Sequence, residues 1–148
     1  MRYVLQKIYQ IVIDTNVLVS GVRSNRGASY KLLSILNDAR WQINISTALV
    51  CEYEEILNGA SKGLGLTMQD VDLAIAAICN IANHHSIFFL WRPMDRDPDD
   101  DFLIDLAFKA QVDFIITYNQ KDLRAVERFG IQVVTPKQFL QIVGEIES

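Results

Sequence analysis

Short apolar runs alternate along the chain with longer stretches in which apolar residues recur at helical spacing. The short runs predict five β-strands, at 10–14, 42–45, 86–90, 112–117 and 131–134. The longer stretches predict helices near 28–39, 47–59, 67–83, 99–110, 120–128 and 136–146. Because such alternation is typical of βαβ units, we predict an α/β fold around a parallel sheet.

Local signals support two of the helix starts. Thr135 to Gln138 form a capping box with a proline at the first helical position, and Thr67 with Asp70 marks another start. The segment 61–65 interrupts two consecutive helices with no strand between them, which predicts an αα-hairpin. The 148 residues are half apolar, so we predict a single domain over 1–148 with a sizeable buried core.

An acidic residue ends the first predicted strand. Ile11 to Ile13 are continuous and β-branched, which predicts a central parallel strand covered on both faces. Asp14 would then lie at the carboxyl edge of the sheet, where open α/β folds bind their ligands. The alternative is that Asp14 only caps a helix or turn that starts near Asn16. We favour a metal-ligand role because of the position at the strand end.

A second acidic group lies at 95–101, where another amphipathic helix opens. Helical projection places Asp99 and Asp100 on the apolar stripe and turns Asp101 and Asp105 outward as surface charges. The helix dipole alone favours acids in a first turn, so ordinary N-terminal placement is the alternative. Periodicity leaves Asp99 and Asp100 as equal candidates for the site.

Three other acids are weaker candidates. Glu52 and Glu54 border opposite sides of the apolar stripe of the helix at 47–59, and the pattern does not choose between them. Asp122 follows the strand at 112–117, again at a predicted carboxyl edge, where it could also serve as a helix cap.

Converging carboxylates imply a cation. Two of them about 4 Å apart repel by about 4 kcal/mol at an effective dielectric of 20. Since no Cys or His accompanies these motifs, Mg²⁺ or Mn²⁺ is favoured over zinc, and phosphodiester hydrolysis is the reaction that suits such a site. The pair His84-His85 is expected at the opposite, amino-terminal edge and away from the metal.

The net charge of −4 argues against a basic surface all over the molecule but allows local cations around an acidic pocket. Arg23, Arg26 and Lys31 follow the first predicted strand, and Lys121, Arg124 and Arg128 fall at helical spacing near the fifth. No apolar run reaches the length of a membrane span, and the first residues lack a signal-peptide core, so we expect a cytoplasmic protein. Cys51 and Cys79 are expected to be reduced core thiols.

Taken together, these motifs resemble those of the PIN-domain family of ribonucleases, in particular the toxin components of bacterial and archaeal toxin–antitoxin pairs. The resemblance covers nearly the whole chain, and its specificity comes from the order and spacing of the motifs. The matching segments are 11–18, 46–57, 97–103, 115–123 and 133–140.

The resemblance implies a three-layer α/β/α sandwich with a central, mostly parallel five-stranded sheet. It implies a Mg²⁺ or Mn²⁺ site formed by Asp14, Glu52 and Asp100, and it favours Glu52 over Glu54 and Asp100 over Asp99. The side chains expected to orient ligands, water or substrate are Thr15, Asn16, Asp97, Asp99, Thr117 and Asn119.

One position departs from the pattern of many family members. Asn119 stands where they carry a fourth aspartate after the last strand, so Asp122 is the candidate for that acid. The function implied is metal-dependent cleavage of single-stranded RNA, with an antitoxin partner and a homodimer. Two alternatives are a catalytically weak or inactive module that binds RNA or an antitoxin, and a phosphatase with Asp14 as nucleophile. The phosphatase usually needs a second Asp at the position of Asn16.

Overall fold

The structure is a computed structural model. It describes residues 7–87 and 98–148, with the side chains of the second range described from 102 onward. In these ranges five strands form one sheet in the order β3-β2-β1-β4-β5, and every neighbouring pair is parallel. The strands are β1 (Tyr9–Ile13), β2 (Trp41–Ser46), β3 (Asn83–His85), β4 (Phe114–Ile116) and β5 (Gln132–Val134).

Helices connect the strands and cover both faces of the sheet, which confirms the predicted α/β/α class. The α-helices are α1 (Thr15–Arg23), α2 (Ala28–Ser34), α3 (Thr47–Leu64), α4 (Met68–Ile81), α5 (Pro98–Lys109), α6 (Gln120–Leu123) and α7 (Pro136–Ile142). A short 3₁₀ helix at Arg124–Phe129 follows α6. In the part of the chain that the structure describes, no helix is both long enough and apolar enough to span a membrane.

The core is centred on β1. Ile11, Val12 and Ile13 are each at most 1% exposed, and because consecutive strand residues point to opposite faces, both faces of β1 are covered. A chain of edge-to-face aromatic contacts runs from Tyr9 through Phe114 and Phe139 to Trp41. Burying one such side chain stabilises the fold by about 1.5–3 kcal/mol, so this cluster fixes α7 firmly against the strands.

The predicted helix boundaries are met best where caps were recognised. Thr67 and Thr135 both form complete capping boxes, with Asp70 and Gln138 as their partners. The predicted αα-hairpin is present as α3 and α4, but α3 continues to Leu64 and ends only at Gly65, which adopts the left-handed conformation (φ 69°).

Helix α1 was missing from the predicted helices. Its sequence contains β-branched valines and a glycine, which have low helix propensity. Tertiary packing overrides this preference, since Val17, Leu18 and Gly21 are buried. Gly21 allows α2 to approach closely, because a Cβ at this position would clash with Leu33 Cδ1 and would stand 3.2 Å from the carbonyl carbon of Ser29.

The third strand also lies earlier than predicted. The run 86–90 was expected to be the strand, but β3 is Asn83–His85, and residues 88–90 lie outside the described part. Among the described residues the strand pairs with β2 alone, and it is largely exposed, so its stability does not require an apolar sequence. His85 therefore lies at the carboxyl end of the sheet, and the expectation of an amino-terminal edge was wrong.

The thiols are less buried than expected. Cys51 is exposed on α3 and Cys79 is half-buried on α4, so the expectation of two core thiols was wrong for Cys51. Position 51 faces solvent because the buried face of α3 is set by Leu49, Tyr53 and Leu57.

Candidate active site

Asp14 lies where β1 ends and α1 begins. Its carboxylate accepts a hydrogen bond from the Thr15 backbone N–H at 2.8 Å, so Asp14 does cap α1. The second carboxylate oxygen, Oδ2, accepts the hydroxyl proton of Thr117 at 2.7 Å and lies 3.4 Å from Asn16 Nδ2. The capping and site roles are thus compatible, because capping uses one oxygen and leaves the other directed toward β4.

Burial raises the pKa of Asp14 above its ordinary value, and the hydrogen bonds from Thr117 and the Thr15 backbone partly oppose that shift. Among the described side chains, no lysine or arginine neutralises this carboxylate. A positive charge placed in the pocket would favour the ionised form of Asp14. A half-buried carboxylate of this kind is what a cation site requires.

Glu52 reaches the same pocket from α3. Its Oε2 accepts the hydroxyl proton of Thr15 at 2.5 Å, so Thr15 contacts Asp14 through its backbone and Glu52 through its side chain. Glu54, which the periodicity left as an equal choice, is exposed. Asp14, Glu52 and Asn119 line one pocket of about 540 Å³.

Thr117 organises the loop after β4. It is fully buried, and its hydroxyl oxygen accepts the Asn119 backbone N–H at 2.9 Å while its proton goes to Asp14. Asn16 joins the loop from α1, since its side-chain oxygen accepts the Tyr118 backbone N–H at 3.2 Å. These bonds hold the turn between β4 and α6 against the start of α1.

One residue near the site was not recognised as a site residue from the sequence. The hydroxyl of Tyr53 donates to the carbonyl of Ile13, directly before Asp14, and burial raises the pKa of this phenol well above its ordinary value. Arg23, one of the cations expected around an acidic pocket, is exposed at the end of α1 and lines the pocket. Asn16, Ser20 and Arg23 share one face of α1, which brings this cation to the site.

The structure does not place the other predicted site acids, Asp97, Asp99, Asp100 and Asp122, in the pocket lining that it describes. Asp122 is exposed on α6 and is not part of the pocket lining. Asp99 and Asp100 belong to the first turn of α5, but their side chains, like the whole of Asp97, lie outside the described residues. Helix α5 itself packs against β1, β2 and α3, the elements that carry or precede Asp14 and Glu52.

Asp105 does not project into solvent as predicted. Its side chain is half-buried and lines a second pocket together with His85. The helical projection failed here because it assumed that α5 has a single apolar face, whereas Ile104 is buried as well as Leu103 and Leu106.

The donors in the Asp14 pocket suit a hard divalent cation. Within the described side chains, no three His, Cys, Asp or Glu residues stand close enough together to hold a metal ion. The pocket nevertheless combines two carboxylates with the hydroxyl oxygen of Thr15 and the side-chain amide of Asn119. Oxygen donors without thiol or imidazole are the ligands that Mg²⁺ and Mn²⁺ prefer.

Comparisons with known proteins identify relatives of this arrangement. A family model described as PIN domain matches residues 10–121. A solved structure described as VapBC2 from Rickettsia felis, bound to a DNA fragment from their promoter, contains a similar chain with a TM-score of 0.56 and 11% identity. The alignment covers 84% of this chain and 96% of that chain, and at such identity it shows the fold alone. No curated protein sequence matches significantly.

Proposed function

The chain belongs to the PIN domain family, and on that premise we propose that it is a metal-dependent endoribonuclease that cleaves single-stranded RNA. The observation that carries the proposal is the joining of Asp14 and Glu52 by Thr15 in one open pocket at the carboxyl edge of the sheet. Asp14 comes from the end of β1 and Glu52 from α3. A divalent cation between them would offset the repulsion of two carboxylates.

In the proposed site, Asp14 and Glu52 hold Mg²⁺ or Mn²⁺, and Asp100 from the start of α5 completes the set of carboxylates. The bound ion would supply Lewis acidity and would make water acidic enough to act as a nucleophile. Thr117 and Thr15 keep the two carboxylates turned toward the pocket through the hydrogen bonds described above. The side chain of Asn119 at the pocket wall orients water or substrate.

Arg23 gives the pocket a cation of its own for the substrate. It lies two helical turns after Asn16, at the rim on the same face of α1. A guanidinium binds phosphate oxygens in a planar, two-pronged geometry. We therefore assign to Arg23 the binding of a phosphate next to the one that is cleaved.

Asp122 is proposed as a fourth acid, which would reach the pocket through water because it is exposed outside the lining. Asn119 supplies no charge at this wall. This observation favours the second candidate function, a PIN-like module that binds RNA or an antitoxin with weak or no cleavage. Metal-dependent turnover decides between the two.

The test of the enzyme uses unstructured RNA and Mn²⁺ with purified protein. We expect Asp14→Asn and Glu52→Gln to lose cleavage, whereas Glu54→Gln, a change of the same chemistry on the exposed side of α3, keeps it. Equal cleavage by all four proteins would assign the activity to a contaminant or to another site. Retained RNA binding with no turnover in the wild type would select the binding module.

Metal binding can be measured without turnover. A ligand that binds only the folded state stabilises it by about 2.7 kcal/mol at a hundredfold excess over Kd. We expect millimolar Mn²⁺ to raise the Tm of the wild type and of Glu54→Gln but not that of Asp14→Asn. An unchanged Tm in the wild type would count against a cation at this site.

We also propose that the nuclease is the toxin of a toxin–antitoxin pair and acts as a cytoplasmic homodimer. The fold similarity to a chain of a VapBC2 structure supports the toxin part of this proposal. Expression in a bacterial host should arrest growth, and a neighbouring gene that encodes an antitoxin should relieve the arrest when it is co-expressed. Growth unaffected by wild-type protein that is active on RNA in vitro would favour general RNA processing instead.

A further inference from the structure

We propose that a second pocket at the carboxyl edge of the sheet binds an unpaired nucleobase next to the cleaved phosphate. The pocket has a volume of about 270 Å³ and lies between the end of β2, the end of β3 and α5. This inference rests on the proposed ribonuclease function, which it deepens by assigning a site for base recognition.

The strand register places this pocket beside the metal-site pocket. Ser46 at the end of β2 is paired with His85 at the end of β3. Ile11 is paired with Ile43, so extending that register by three residues sets Asp14 level with Ser46. Because neighbouring strands are about 4.8 Å apart, His85 is about 10 Å from Asp14 across the sheet. A base attached to a nucleotide that flanks the cleaved phosphate can span this separation.

The lining of the second pocket suits a flat ring with a polar edge. Phe102 and Ile87, both half-buried, provide apolar walls, while Ser46, Ser86 and Thr47 bring hydroxyl groups. Single-stranded RNA is commonly recognised by stacking of splayed bases on aromatic rings and by hydrogen bonds to their edges. Pockets for drug-sized ligands have volumes of about 300–1,000 Å³, so a cavity slightly below that range suits a base rather than a whole nucleotide.

The charge of the described part of the lining also favours a base over a phosphate. Among the described residues that line it, none is a lysine or an arginine, and Asp105 adds a carboxylate. A carboxylate repels a phosphate but can accept the amino and imino N–H groups of a base edge. The phosphates are therefore left to Arg23 and the metal in the neighbouring pocket, and the base enters this one.

His85 is held in a defined orientation by the buried Asn44. The Asn44 amide nitrogen lies 3.2 Å from the carbonyls of both Ile11 and Gln42, which can only accept hydrogen bonds. The amide oxygen of Asn44 therefore faces His85 Nε2 at 2.8 Å, and Nε2–H must donate to it. In the neutral imidazole, Nδ1 then carries the lone pair. The ring is thus held in one orientation at the wall of the pocket.

Base binding can be tested without any cleavage. We expect adenosine, guanosine, cytidine and uridine 5′-monophosphates to shift the backbone amide NMR signals of Thr47, Ser86 and Phe102, with one base giving the largest shift. Ribose 5-phosphate, which has no base, should leave these signals unchanged. The proposal is overturned if ribose 5-phosphate causes the same shifts, or if the nucleotides move only signals around Asp14.

The second test fills the pocket with a larger side chain. Ser86 is exposed at the pocket mouth, so Ser86→Phe should fold normally and fill the cavity. Gln132→Phe places the same side chain at an exposed position at the start of β5 and serves as the control. We expect Ser86→Phe to raise KM about tenfold or more and to remove the base preference at one position beside the cut, without changing the Mn²⁺-induced Tm shift.

The outcomes separate this inference from the proposed function. Unchanged KM and an unchanged cleavage profile in Ser86→Phe would overturn the base pocket while leaving the nuclease intact. A wild type that binds Mn²⁺ but never cleaves RNA would overturn the nuclease, and the nucleotide titration would still decide whether the pocket takes a base.

Discussion

Thr117 is the residue on which the geometry of Asp14 depends most directly. Its hydroxyl donates to Asp14 and accepts from the Asn119 backbone, and it is fully buried. We predict that Thr117→Val lowers the free energy of unfolding by about 1–3 kcal/mol, because both partners lose a buried hydrogen bond. Thr117→Ser, which keeps the hydroxyl, should retain most of the stability and the RNA cleavage. Urea unfolding measures the stability, and an RNA assay measures the cleavage. An equal loss of stability in Thr117→Val and Thr117→Ser would contradict the role of the hydroxyl.

Arg23 is predicted to act through charge. Neutralising one phosphate contact to single-stranded nucleic acid should reduce the slope of log affinity against log salt concentration by about 0.7. We expect Arg23→Gln to show this reduction and a higher KM, whereas Arg26→Gln, exposed three residues later and outside the pocket lining, should change little. Equal slopes for Arg23→Gln and the wild type would remove Arg23 from the substrate site.

For single residues, the sequence predicted the place of a residue in a strand or helix better than the direction of its side chain. Asp14 could be assigned to a strand end because the apolar run before it is continuous, and the alternation of runs implies a parallel sheet. Periodicity could not choose Glu52 over Glu54, because both border the buried stripe of α3. The choice between the two glutamates depends on the contact of Glu52 with Thr15, which lies 37 residues earlier in the chain.

Among the helices and strands, those set by local sequence were predicted correctly, and those that depend on tertiary packing were not. Helices α4 and α7 begin at the predicted caps, Thr67 and Thr135, because capping is local, whereas α1 forms through packing that its helix propensity does not reveal. Strand β3 escaped prediction because an edge strand with exposed side chains leaves no apolar signature. A sequence pattern thus predicts a helix or strand well only when interactions within that segment, rather than contacts with distant segments, determine its formation.

Two helix glycines provide a test of this distinction. Gly59 lies inside α3, and a Cβ added there would have no neighbouring atom within 4 Å, so Gly59→Ala should raise the free energy of unfolding by about 0.5–1 kcal/mol. Gly21 lies against α2, so Gly21→Leu should lower it by about 1–3 kcal/mol through overpacking. Thermal or urea unfolding measures both values, and stabilisation by Gly21→Leu would contradict the close packing of α1 and α2.

At the scale of the whole molecule, Arg40 ties the start of the sheet to the last residues. Its guanidinium bonds to Asp38 at 2.8 Å and to Glu145 at 2.6 Å, and it lies over the Trp41 ring. These contacts lower the pKa of Asp38 to about 2 and also lower that of Glu145. The stabilisation is complete above the unfolded pKa values of about 4 and is lost as the pH falls toward 2.

We therefore predict that Arg40→Met lowers stability at pH 7 and flattens the dependence of stability on pH between 5 and 2. Arg124→Met removes an exposed arginine whose ion pair with Glu127 spans 4.0 Å, and it should leave the pH dependence unchanged. Urea midpoints measured across the pH range decide the matter. Parallel curves for Arg40→Met and the wild type would contradict the assigned origin of the acid sensitivity.

The long loop closed between Asp14 and Thr117 has a consequence during protein synthesis. These partners are separated by 103 residues, and β4 must pair with β1 before the hydroxyl of Thr117 can reach the carboxylate. A ribosome that has released only the first three strands has produced both Asp14 and Glu52 but no assembled centre. A nascent or prematurely terminated polypeptide of this length therefore lacks the contact that orients Asp14, and the pocket is complete only after β4 has been synthesised.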